Sequence, residues 1–421
     1  MKTCLFKTIG CKVNQYETQL LRESFSANGY LEVSDEKEAG VCVVNTCTVT
    51  KKSDGKSKRV ITRIIRKNPQ ARVIVTGCAV DNEFSAVNKI EGVSLFVRNL
   101  NKSKIFSLVN GGNRSRPVDV ITAFSNRDKA FVKIEDGCNN FCSYCIVPFT
   151  RGRAGSRDAG EIEREVGNLC RAGYKEIILT GINIGFFGRD TGKGLVSLIE
   201  GLMSIKSLGR LRLSSIDPQD IDTALINLIK SSDKLCGHLH ISVQSADDNV
   251  LKLMNRRYDR KLLQNLLERL KREAPNIGLS ADFICGFPGE DDNCFKNTLE
   301  LIEKYDFVKI HIFTYSDREK TAAFKYKDKV APDTKRKRAL LLQEVSAESA
   351  VRYKRRFAGK RVEVLVEEMP DKISNLLCGY SDNYIRVLLK NAKNHHKGSI
   401  VPAKITGLSG NSVFAEVIAG V

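Results

Sequence analysis

The sequence predicts an α/β protein of three parts, and three observations support this prediction. Apolar runs of strand length alternate with helical patterns over most of the 421 residues, which is typical of parallel sheets. A Gly-, Asn- and Arg-rich stretch, GGNRSRPVD (111–119), interrupts the alternation and predicts a linker. Near the C-terminus the apolar period changes to two, which predicts a small antiparallel β-barrel. We therefore expect domains at 1–110, 129–357 and 358–421, with a linker at 111–128.

The first segment predicts a parallel α/β sheet. Its strands are expected at Lys2–Thr8, Val41–Asn45 and Arg72–Thr76, where short apolar runs occur. Helical patterns at Glu17–Ala27 and Ser53–Lys67 separate these runs. Strands joined through helices favour parallel pairing, with ligands bound beyond the carboxyl ends of the strands.

The second segment predicts a barrel or partial barrel of six β/α units. Its candidate strands are 129–135, 176–180, 210–215, 238–243, 279–284 and 307–313. Helical patterns follow most of them, so functional residues are again expected at the carboxyl ends of the strands.

The third segment predicts a β-barrel of the OB type. The stretches 361–368, 383–389 and 412–418 alternate or run apolar, with turn residues between them. Barrels of this type often hold RNA. A helix from Pro332 to about Phe357 is expected to join the third segment to the second.

The composition favours a nucleic-acid partner. Lys and Arg total 68 against 49 Asp and Glu, a net charge of +19, and such a surplus favours a polyanion. A lysine-rich surface without a special partner is the alternative. No apolar run reaches the roughly 18 residues that a membrane span needs, and the start MKTCLFKTIGCKVNQ does not resemble a signal peptide. We therefore expect a cytoplasmic protein, in which the 13 cysteines indicate metal or thiol chemistry.

The strongest motif is a group of three cysteines after the first predicted strand of the second segment. Cys138, Cys142 and Cys145 have the spacing CxxxCxxC. Three crowded thiolates can hold three irons of a [4Fe–4S] cluster and leave the fourth open to a small molecule. Structural zinc is the competing interpretation, but it needs four closed ligands, and none of the five His lies near this stretch.

Three further cysteines lie far apart in the sequence but at equivalent positions. Cys11, Cys47 and Cys78 each follow the end of a predicted strand in the first segment. Because the carboxyl ends of parallel strands meet at one edge of a sheet, we expect these cysteines to lie close together. Buried structural cysteines are the alternative, and Cys4 and Cys42, inside the same strands, fit that description.

These motifs resemble those of a known family. CNNFCSYC (138–145) is similar to the cluster motif of radical S-adenosylmethionine enzymes, whose open iron binds the methionine group of the cofactor. GCKVNQYET, NTC and VTGC resemble the three cysteine motifs of methylthiotransferases, which hold a second [4Fe–4S] cluster in an N-terminal α/β domain. The family also has the domain order expected here, with a radical S-adenosylmethionine barrel and then a small RNA-binding β-barrel called TRAM.

The resemblance extends to the cofactor pocket, through stretches such as LTGINIGFFGRD, RLRLSSIDP and QSADDNVLKLMNRRY. Residues at or near the strand ends are then expected to bind S-adenosylmethionine: Tyr144, Thr180, Gly181, Ser215, Gln244, Arg256 and Phe313. In this interpretation Gly181 lets the backbone approach the methionine group, and Arg256 pairs with its carboxylate. Each of these residues could instead serve packing or a loop.

The resemblance implies that a methylthio group is inserted into an unactivated C–H bond. One S-adenosylmethionine methylates a sulfur carried at the auxiliary cluster, and a second is cleaved to a radical that removes hydrogen from the substrate carbon. The implied cofactors are two [4Fe–4S] clusters and S-adenosylmethionine. The implied partners are tRNA and an electron donor such as flavodoxin or ferredoxin.

Three substrates divide the family: isopentenyladenosine in tRNA, N6-threonylcarbamoyladenosine in tRNA, and an aspartate of a ribosomal protein. The start GCKVNQYE, with Lys12 after the first cysteine, most resembles the threonylcarbamoyl branch, which modifies C2 of adenosine 37. The net charge also favours tRNA over a protein substrate. The threonylcarbamoyl carboxylate would suit an arginine, and the candidates are Arg151, Arg153 and Arg157. These arginines could equally face solvent or RNA phosphates.

Two departures from the family pattern concern loops near the substrate. Ser242 and Ala246 stand where the family usually has Pro and Gly, and HIFTYSDREKTAAF lacks the usual Pro and Gly-Thr-Pro.

Two other classes of function remain open. A radical enzyme acting on protein would leave tRNA without added sulfur, and a non-catalytic RNA-binding protein with structural clusters would not produce 5′-deoxyadenosine.

Overall fold

The computed structural model shows the mixed α/β class that the sequence predicts. It describes residues 2–111, 118–125, 127–393 and 396–418. Most of the GGNRSRPVD stretch, at 112–117, lies outside these residues. The later part of the predicted linker packs against the second unit, since Ile121 and Phe124 are buried in its core. None of the helices among the described residues combines the length and the apolar character that a membrane span requires.

The first unit is a five-stranded parallel sheet with the strand order β2-β1-β3-β4-β5. Its strands are β1 (Lys2–Thr8), β2 (Tyr30–Glu32), β3 (Val41–Thr46), β4 (Arg72–Gly77) and β5 (Leu95–Val97). Its helices are α1 (Lys12–Ala27), α2 (Lys51–Lys67), α3 (Cys78–Asp81) and α4 (Ile105–Val109). Successive side chains of a strand point to opposite faces, so Cys4 and Cys42 are buried in separate hydrophobic layers on the two sides of the sheet.

The second unit is a partial β/α barrel. Its strands are β6 (Ala130–Lys133), β7 (Glu135–Asp136), β8 (Gly155–Ser156), β9 (Glu176–Thr180), β10 (Arg210–Leu213), β11 (Ser215–Ile216), β12 (His238–Gln244), β13 (Gly278–Cys285) and β14 (Lys309–Thr314). Its helices are α5 (Val147–Arg151), α6 (Ala159–Arg171), α7 (Leu195–Met203), α8 (Thr223–Ser231), α9 (Asp248–Leu253), α10 (Arg260–Glu273) and α11 (Asp292–Lys304).

These strands form two parallel sheets that follow each other around the barrel. One has the order β6-β9-β10 and the other β11-β12-β13-β14, and β10 leads into β11 through Ser214. The predicted strand at 129–135 is shorter than expected. Its regular part ends at Lys133, because Glu135 turns away to pair with Ser156 in the small antiparallel ladder of β7 and β8.

The third unit is a closed five-stranded barrel joined to the second by α12 (Pro332–Arg355). Its strands are β15 (Arg361–Val366), β16 (Leu377–Ser381), β17 (Arg386–Leu389), β18 (Ile400–Ser409) and β19 (Ser412–Val417). Among these described strands, β17 and β19 pair in parallel and the other neighbours pair antiparallel. The sequence predicts an entirely antiparallel barrel. The difference arises because β18 and β19 form a hairpin whose returning strand runs in the direction of β17.

The third unit covers the amino ends of the barrel strands. Glu176, at the start of β9, accepts hydrogen bonds from Arg210 (2.5 Å) and Arg212 (2.8 Å), and both arginines also donate to backbone carbonyls of the third unit. The ring of His238, at the start of β12, stacks on Tyr384 with a centroid distance of 4.4 Å. These contacts lie at the end of the barrel opposite the carboxyl ends of the strands.

A Glu176→Gln variant is expected to lose about 3–5 kcal/mol of stability, because two buried arginines would lose their carboxylate. Burial alone would raise the pKa of Glu176, but Arg212 and Arg210 hold it well below its ordinary value. Its contribution is therefore complete above the ordinary glutamate pKa of about 4.5 and is lost as the pH falls below that value. Urea unfolding at pH 7 measures the effect of the substitution, and unfolding of the wild-type protein at pH 4 and below follows the start of the pH-dependent loss. Glu363→Gln, at a half-exposed position of β15, is the control and should change little.

Candidate active site

Cys11, Cys47 and Cys78 come together at the carboxyl edge of the five-stranded sheet. Cys11 caps the start of α1, Cys47 follows β3, and Cys78 begins α3 directly after β4. Strands β1, β3 and β4 are neighbours in the sheet, so the three loops lie side by side. Burial raises the pKa of the Cys47 thiol to about 11, with further contributions from the nearby Cys78 and Cys11.

Two glycines allow the loops to approach this closely. Gly10 has a φ of +111°, and a Cβ there would lie 2.8 Å from Cys47 Cβ. Gly77 has a φ of +99°, and a Cβ there would lie 2.5 Å from the backbone nitrogen of Thr46. Both the backbone conformation and the lack of space require glycine. A larger residue at either position would push the cysteine loops apart.

Asn14 fixes the spacing of the first two cysteine loops. Its Nδ2 donates to the carbonyl of Ile9 at 2.8 Å and to the carbonyl of Thr46 at 2.9 Å. These carbonyls lie two residues before Cys11 and directly before Cys47. Because Asn14 itself is buried, the two bonds hold the loops at a set distance.

Cys138, Cys142 and Cys145 occupy one loop after β7 at the carboxyl end of the barrel. Cys138 and Cys142 are buried, and Cys145 is partly exposed. The loop is held by backbone hydrogen bonds, including Cys145 N to Cys142 O at 2.9 Å and Cys138 N to Gly152 O at 3.1 Å. Burial raises the pKa of the Cys138 thiol to about 12, and the nearby Cys142 raises it further.

Asp217 ties the cysteine loop to the neighbouring strands. Its Oδ2 accepts from Asn140 at 2.5 Å and from Asn183 at 3.2 Å, while its Oδ1 accepts from Arg256 at 2.6 Å. Arg256 also lies 3.3 Å from Cys142 Sγ. The sequence predicts that Arg256 pairs with a cofactor carboxylate, whereas the structure gives it Asp217. Asp217, Asn140 and Asn183 were not predicted, although each lies within a family-like motif at a strand end.

Three predicted cofactor residues lie on strands of the same four-stranded sheet, β11-β12-β13-β14. Ser215 is on β11, Gln244 ends β12, and Phe313 is on β14. Gln244 has a positive φ of +62°, which is unusual for a residue with a side chain, at an irregularity in the pairing of β12 with β13. The Phe313 side chain is 41% exposed, so its ring is available to a ligand. Tyr144, on the cysteine loop, packs edge-on to Phe287 at 6.3 Å.

Thr180 and Gly181 mark the end of β9 beside a buried carboxyl group. Thr180 is buried, and its carbonyl accepts from the amide of Ile134 at 2.9 Å. A Cβ on Gly181 would collide with the carboxylate of Glu135. Burial raises the pKa of Glu135 to about 8. Its Oε2 accepts two backbone N–H groups, from Ile182 at 2.8 Å and from the following residue at 3.1 Å.

Arg151 connects the two groups of cysteines. It ends α5, which begins shortly after Cys145, and its Nε lies 3.3 Å from Cys78 Sγ. Its side chain is only 1% exposed and pairs with Glu17 at 2.9 Å and with Asp136 at 2.8 Å. Since Glu17 belongs to α1 and Asp136 to β7, these contacts hold the first and second units together.

The ion pairs around Arg151 form an interdomain network, which we define as Glu17, Lys102, Lys133, Asp136 and Arg151. Lys102 pairs with Glu17, and Lys133 lies 2.9 Å from Asp136. Burial alone would raise the pKa of Glu17, but Lys102, Arg151 and Lys133 hold it well below its ordinary value. Three cations against two carboxylates leave one positive charge beside Cys78.

The other two predicted substrate arginines have different surroundings. Arg157 pairs with the buried Glu165 at 2.7 Å, in the core between α1 and α6. Tyr16 of α1 donates to the same carboxylate at 2.9 Å. Arg153 is exposed on the loop that follows α5. Arg151 and Arg157 therefore already have carboxylate partners within the protein.

The comparisons with known proteins agree with this site. The Radical SAM superfamily matches residues 132–302, and Uncharacterized protein family UPF0004 matches residues 3–97. The threonylcarbamoyladenosine tRNA methylthiotransferase MtaB of Bacillus subtilis is 36% identical to this chain, over 96% of this chain and 94% of its own length. The chain belongs to the radical S-adenosylmethionine methylthiotransferase family.

Other methylthiotransferases are nearly as similar. MtaB of Thermotoga maritima is 36% identical over 92% of this chain and 91% of its own length. The tRNA-2-methylthio-N(6)-dimethylallyladenosine synthase of Clostridium tetani is 32% identical over 99% and 96%. Among solved structures, the radical S-adenosylmethionine methyltransferase TsrM from Kitasatospora setae has a TM-score of 0.58 at 15% identity and covers 77% of each chain. That likeness concerns the fold alone.

A methylthiotransferase uses S-adenosylmethionine and two [4Fe–4S] clusters, and the site residues fit these groups. Each cysteine group supplies the three thiolates that a cluster with one open iron requires. The described residues contain no group of three or more His, Cys, Asp or Glu arranged around a single metal ion; a cluster distributes its thiolates over several irons. Glu135 Oε1, Asn140 Oδ1 and Ser214 Oγ are buried without a partner among these residues. Such atoms are normally paired, and the amino, carboxylate and hydroxyl groups of S-adenosylmethionine can pair with them.

Proposed function

We propose that this methylthiotransferase inserts a methylthio group at C2 of N6-threonylcarbamoyladenosine, at position 37 of tRNA. The observation that carries the reaction type is the pair of cysteine groups joined through Arg151, which reaches Cys78 from the helix that follows Cys145. The substrate follows from the relatives named for threonylcarbamoyladenosine, which match at 33–36% identity over most of the chain. Isopentenyladenosine is the alternative, since relatives with the related dimethylallyl substrate match at 32–34%.

The six cysteines divide into two ligand sets in this proposal. Cys11, Cys47 and Cys78 hold the auxiliary cluster, and Cys138, Cys142 and Cys145 hold the radical cluster. When bound, the radical cluster supplies the electron that cleaves S-adenosylmethionine, and the auxiliary cluster carries the sulfur. Gln244 and Phe313 line the cofactor pocket, and Asp217 keeps Arg256 against the cysteine loop.

The surface around the site suits an RNA. Phe141 and Phe149 are about half exposed beside the radical cluster loop, with ring centroids 6.3 Å apart, and can stack on bases. On α2, Lys56, Arg59 and Arg66 are exposed and add positive charge. The basic side chains at the two ends of α12 contribute less, because several of its arginines pair with acidic side chains: Arg338 with Glu290 and Asp292, and Arg352 and Arg356 with Asp306.

The remaining parts of the proposal concern the cellular setting. A radical enzyme needs a one-electron donor, and we assign this role to a flavodoxin or a ferredoxin. The positive surface of the chain favours an acidic protein of this kind. We also propose a cytoplasmic location, which a tRNA substrate and the cluster-binding cysteines support.

Mass spectrometry of tRNA nucleosides tests the proposed function. Cells lacking the gene should lose 2-methylthio-N6-threonylcarbamoyladenosine, and restoring the wild-type gene should return it. A Cys47→Ala gene should fail to restore it, because the auxiliary cluster loses a ligand. A Cys42→Ala gene is the matched control, since Cys42 lies inside β3, the strand that Cys47 follows, and is buried away from the strand end.

The outcomes separate the candidate substrates. If the isopentenyl product disappears instead, the chemistry stands and the substrate assignment is wrong. If neither nucleoside changes, tRNA is not the substrate, and a ribosomal protein aspartate becomes the leading candidate. Restoration by Cys47→Ala would contradict the assignment of this cysteine to the auxiliary cluster.

A further inference from the structure

The lumen of the barrel is lined by polar side chains. On β12 and β13 the residues facing outward, such as Ile241 and Phe283, belong to the hydrophobic core. Because side chains alternate along a strand, the opposite face points into the lumen. That face carries His238, His240, Ser242, Ser280, Asp282, Lys309 and His311 across β12, β13 and β14. An apolar ligand would find few partners among these residues.

Three of these lumen residues and Lys12 of α1 form a group that we call the lumen cluster: Lys12, His240, Asp282 and His311. His240 Nε2 lies 2.9 Å from Asp282 Oδ1, and the rings of His240 and His311 stack 5.2 Å apart. The side chains of His240 and Asp282 are 13% and 20% exposed, so they border open space rather than packed core. None of the four has a role in the proposed binding of S-adenosylmethionine.

Lys12 enters the lumen from the first unit. It is the first residue of α1, and its ammonium is close enough to Asp282, Arg212 and Lys129 for their charges to act on it. Within the described part of the chain it forms no ion pair or hydrogen bond. The neighbouring cations do have partners, as Arg212 pairs with Glu176 and Lys129 with Glu367. Lys12 therefore has the Asp282 carboxylate nearby but no direct ion-pair partner among the described residues, and its ammonium in this confined space favours an anionic ligand.

The shape of adenine allows one base to reach both the cysteine groups and the lumen cluster. Lys12 directly follows Cys11, and β12 and β14 lead from the lumen cluster up to Gln244 and Phe313. In adenine, C2 and N6 lie at the two ends of the same ring edge. A base whose C2 faces the cysteine groups can therefore direct its N6 substituent down into the lumen.

We propose that the lumen cluster binds the threonylcarbamoyl group of the substrate, with Lys12 holding its carboxylate and Asp282 accepting a hydrogen bond from its hydroxyl or ureido N–H. This inference rests on the proposed function, because it names the residues that read the group by which the substrate is distinguished. His240 and His311 complete the polar surroundings. Arg151 and Arg157 are already paired within the protein, whereas Lys12 forms no ion pair among the described residues.

An isopentenyl group would fit this lumen poorly. It carries no charge and no hydrogen-bonding atom, so Lys12 and Asp282 would lose water without gaining a partner. A site built to bind a polar group rejects an analogue that lacks it, because the buried groups are left unpaired. The lumen cluster thus supplies a physical reason for preferring the threonylcarbamoyl substrate.

The test compares two RNA ligands on the cluster-loaded enzyme. One is a tRNA anticodon stem-loop with N6-threonylcarbamoyladenosine, and the other has a carboxamide in place of the threonine carboxylate. Wild-type enzyme should bind and modify the carboxylate form roughly 10- to 100-fold better. Lys12→Met should abolish this preference, and Lys12→Arg should restore part of it. Lys230→Met, at an exposed position on α8, is the control and should keep the wild-type ratio.

Several outcomes overturn the inference or separate it from the proposed function. If Lys12→Met binds both RNAs with the wild-type ratio, Lys12 does not read the carboxylate. If the wild-type enzyme modifies only isopentenyladenosine, the proposed function and this inference both fail. Iron and sulfide contents show whether Lys12→Met keeps its auxiliary cluster. If it does not, the binding ratio of His311→Leu, on β14 and outside the cysteine loops, decides: a wild-type ratio overturns the inference and a reduced ratio supports it.

Discussion

A Cys145→Ala variant is expected to lose formation of 5′-deoxyadenosine from S-adenosylmethionine, to the background level. Cys145 belongs to the loop whose three thiolates have the spacing of a radical cluster. With two thiolates left, the cluster lacks the ligand set that holds three irons. The auxiliary cysteines lie on a different sheet and should be unaffected. Iron content should fall from about eight to about four atoms per chain.

The control for this experiment is Cys170→Ala. Cys170 is also buried and belongs to the barrel, but it lies on α6 within the hydrophobic core. This variant should keep its iron and its 5′-deoxyadenosine formation. Chromatographic measurement of 5′-deoxyadenosine after chemical reduction separates the two variants. Wild-type turnover by Cys145→Ala would show that the radical cluster is held elsewhere.

An Arg151→Met variant is expected to lose about 3–5 kcal/mol of stability. Arg151 is 1% exposed and contacts two carboxylates and the sulfur of Cys78, so its removal leaves Glu17 and Asp136 with less compensation inside the protein. The effect should appear as weaker docking of the first unit on the second. Urea unfolding of the cluster-loaded protein under anaerobic conditions measures it.

Arg153→Met is the matched control, because Arg153 lies two residues away on the same loop but is exposed. Its stability should change by no more than about 0.5 kcal/mol. A second measurement tests the contact with Cys78. Loss of the nearby positive charge should make the auxiliary cluster harder to reduce, which redox titration detects. If the two arginine variants are equally stable, water compensates the carboxylates of the interdomain network after Arg151 is removed.

The placement of the cysteines could be predicted from the sequence because it depends on strand ends. Cys11, Cys47 and Cys78 follow strands that pair in parallel, and parallel pairing brings such positions to one edge regardless of details elsewhere. The radical cluster loop was predictable for a simpler reason, since its three cysteines are neighbours in the sequence. Both depend on local patterns that the chain displays directly.

Contacts between units could not be predicted in the same way. Arg151 and Arg153 are the same residue type and lie two positions apart in the sequence. Only the docking of α1 buries the side chain of Arg151 and leaves Arg153 exposed. Lys12 resembles any lysine at the start of a helix until the barrel is placed beside it. The strands β2 and β5 have three residues each, too few for a periodic signal. The parallel pair of β17 and β19 depends on a hairpin formed later in the chain.

The third unit closes the barrel at the amino ends of its strands. Tyr384 and the arginine pairs of Glu176 cover the amino ends of the strands. In the described structure, the end that carries the cysteines is therefore an entrance to the lumen. Cofactor and nucleoside can then enter the lumen from the same end. The depth of the lumen also limits the length of the N6 substituent. A substituent much longer than the lumen would contact the third unit before C2 reached the clusters. Smaller side chains at the amino ends of the strands, rather than changes at the entrance, would therefore admit a longer N6 substituent.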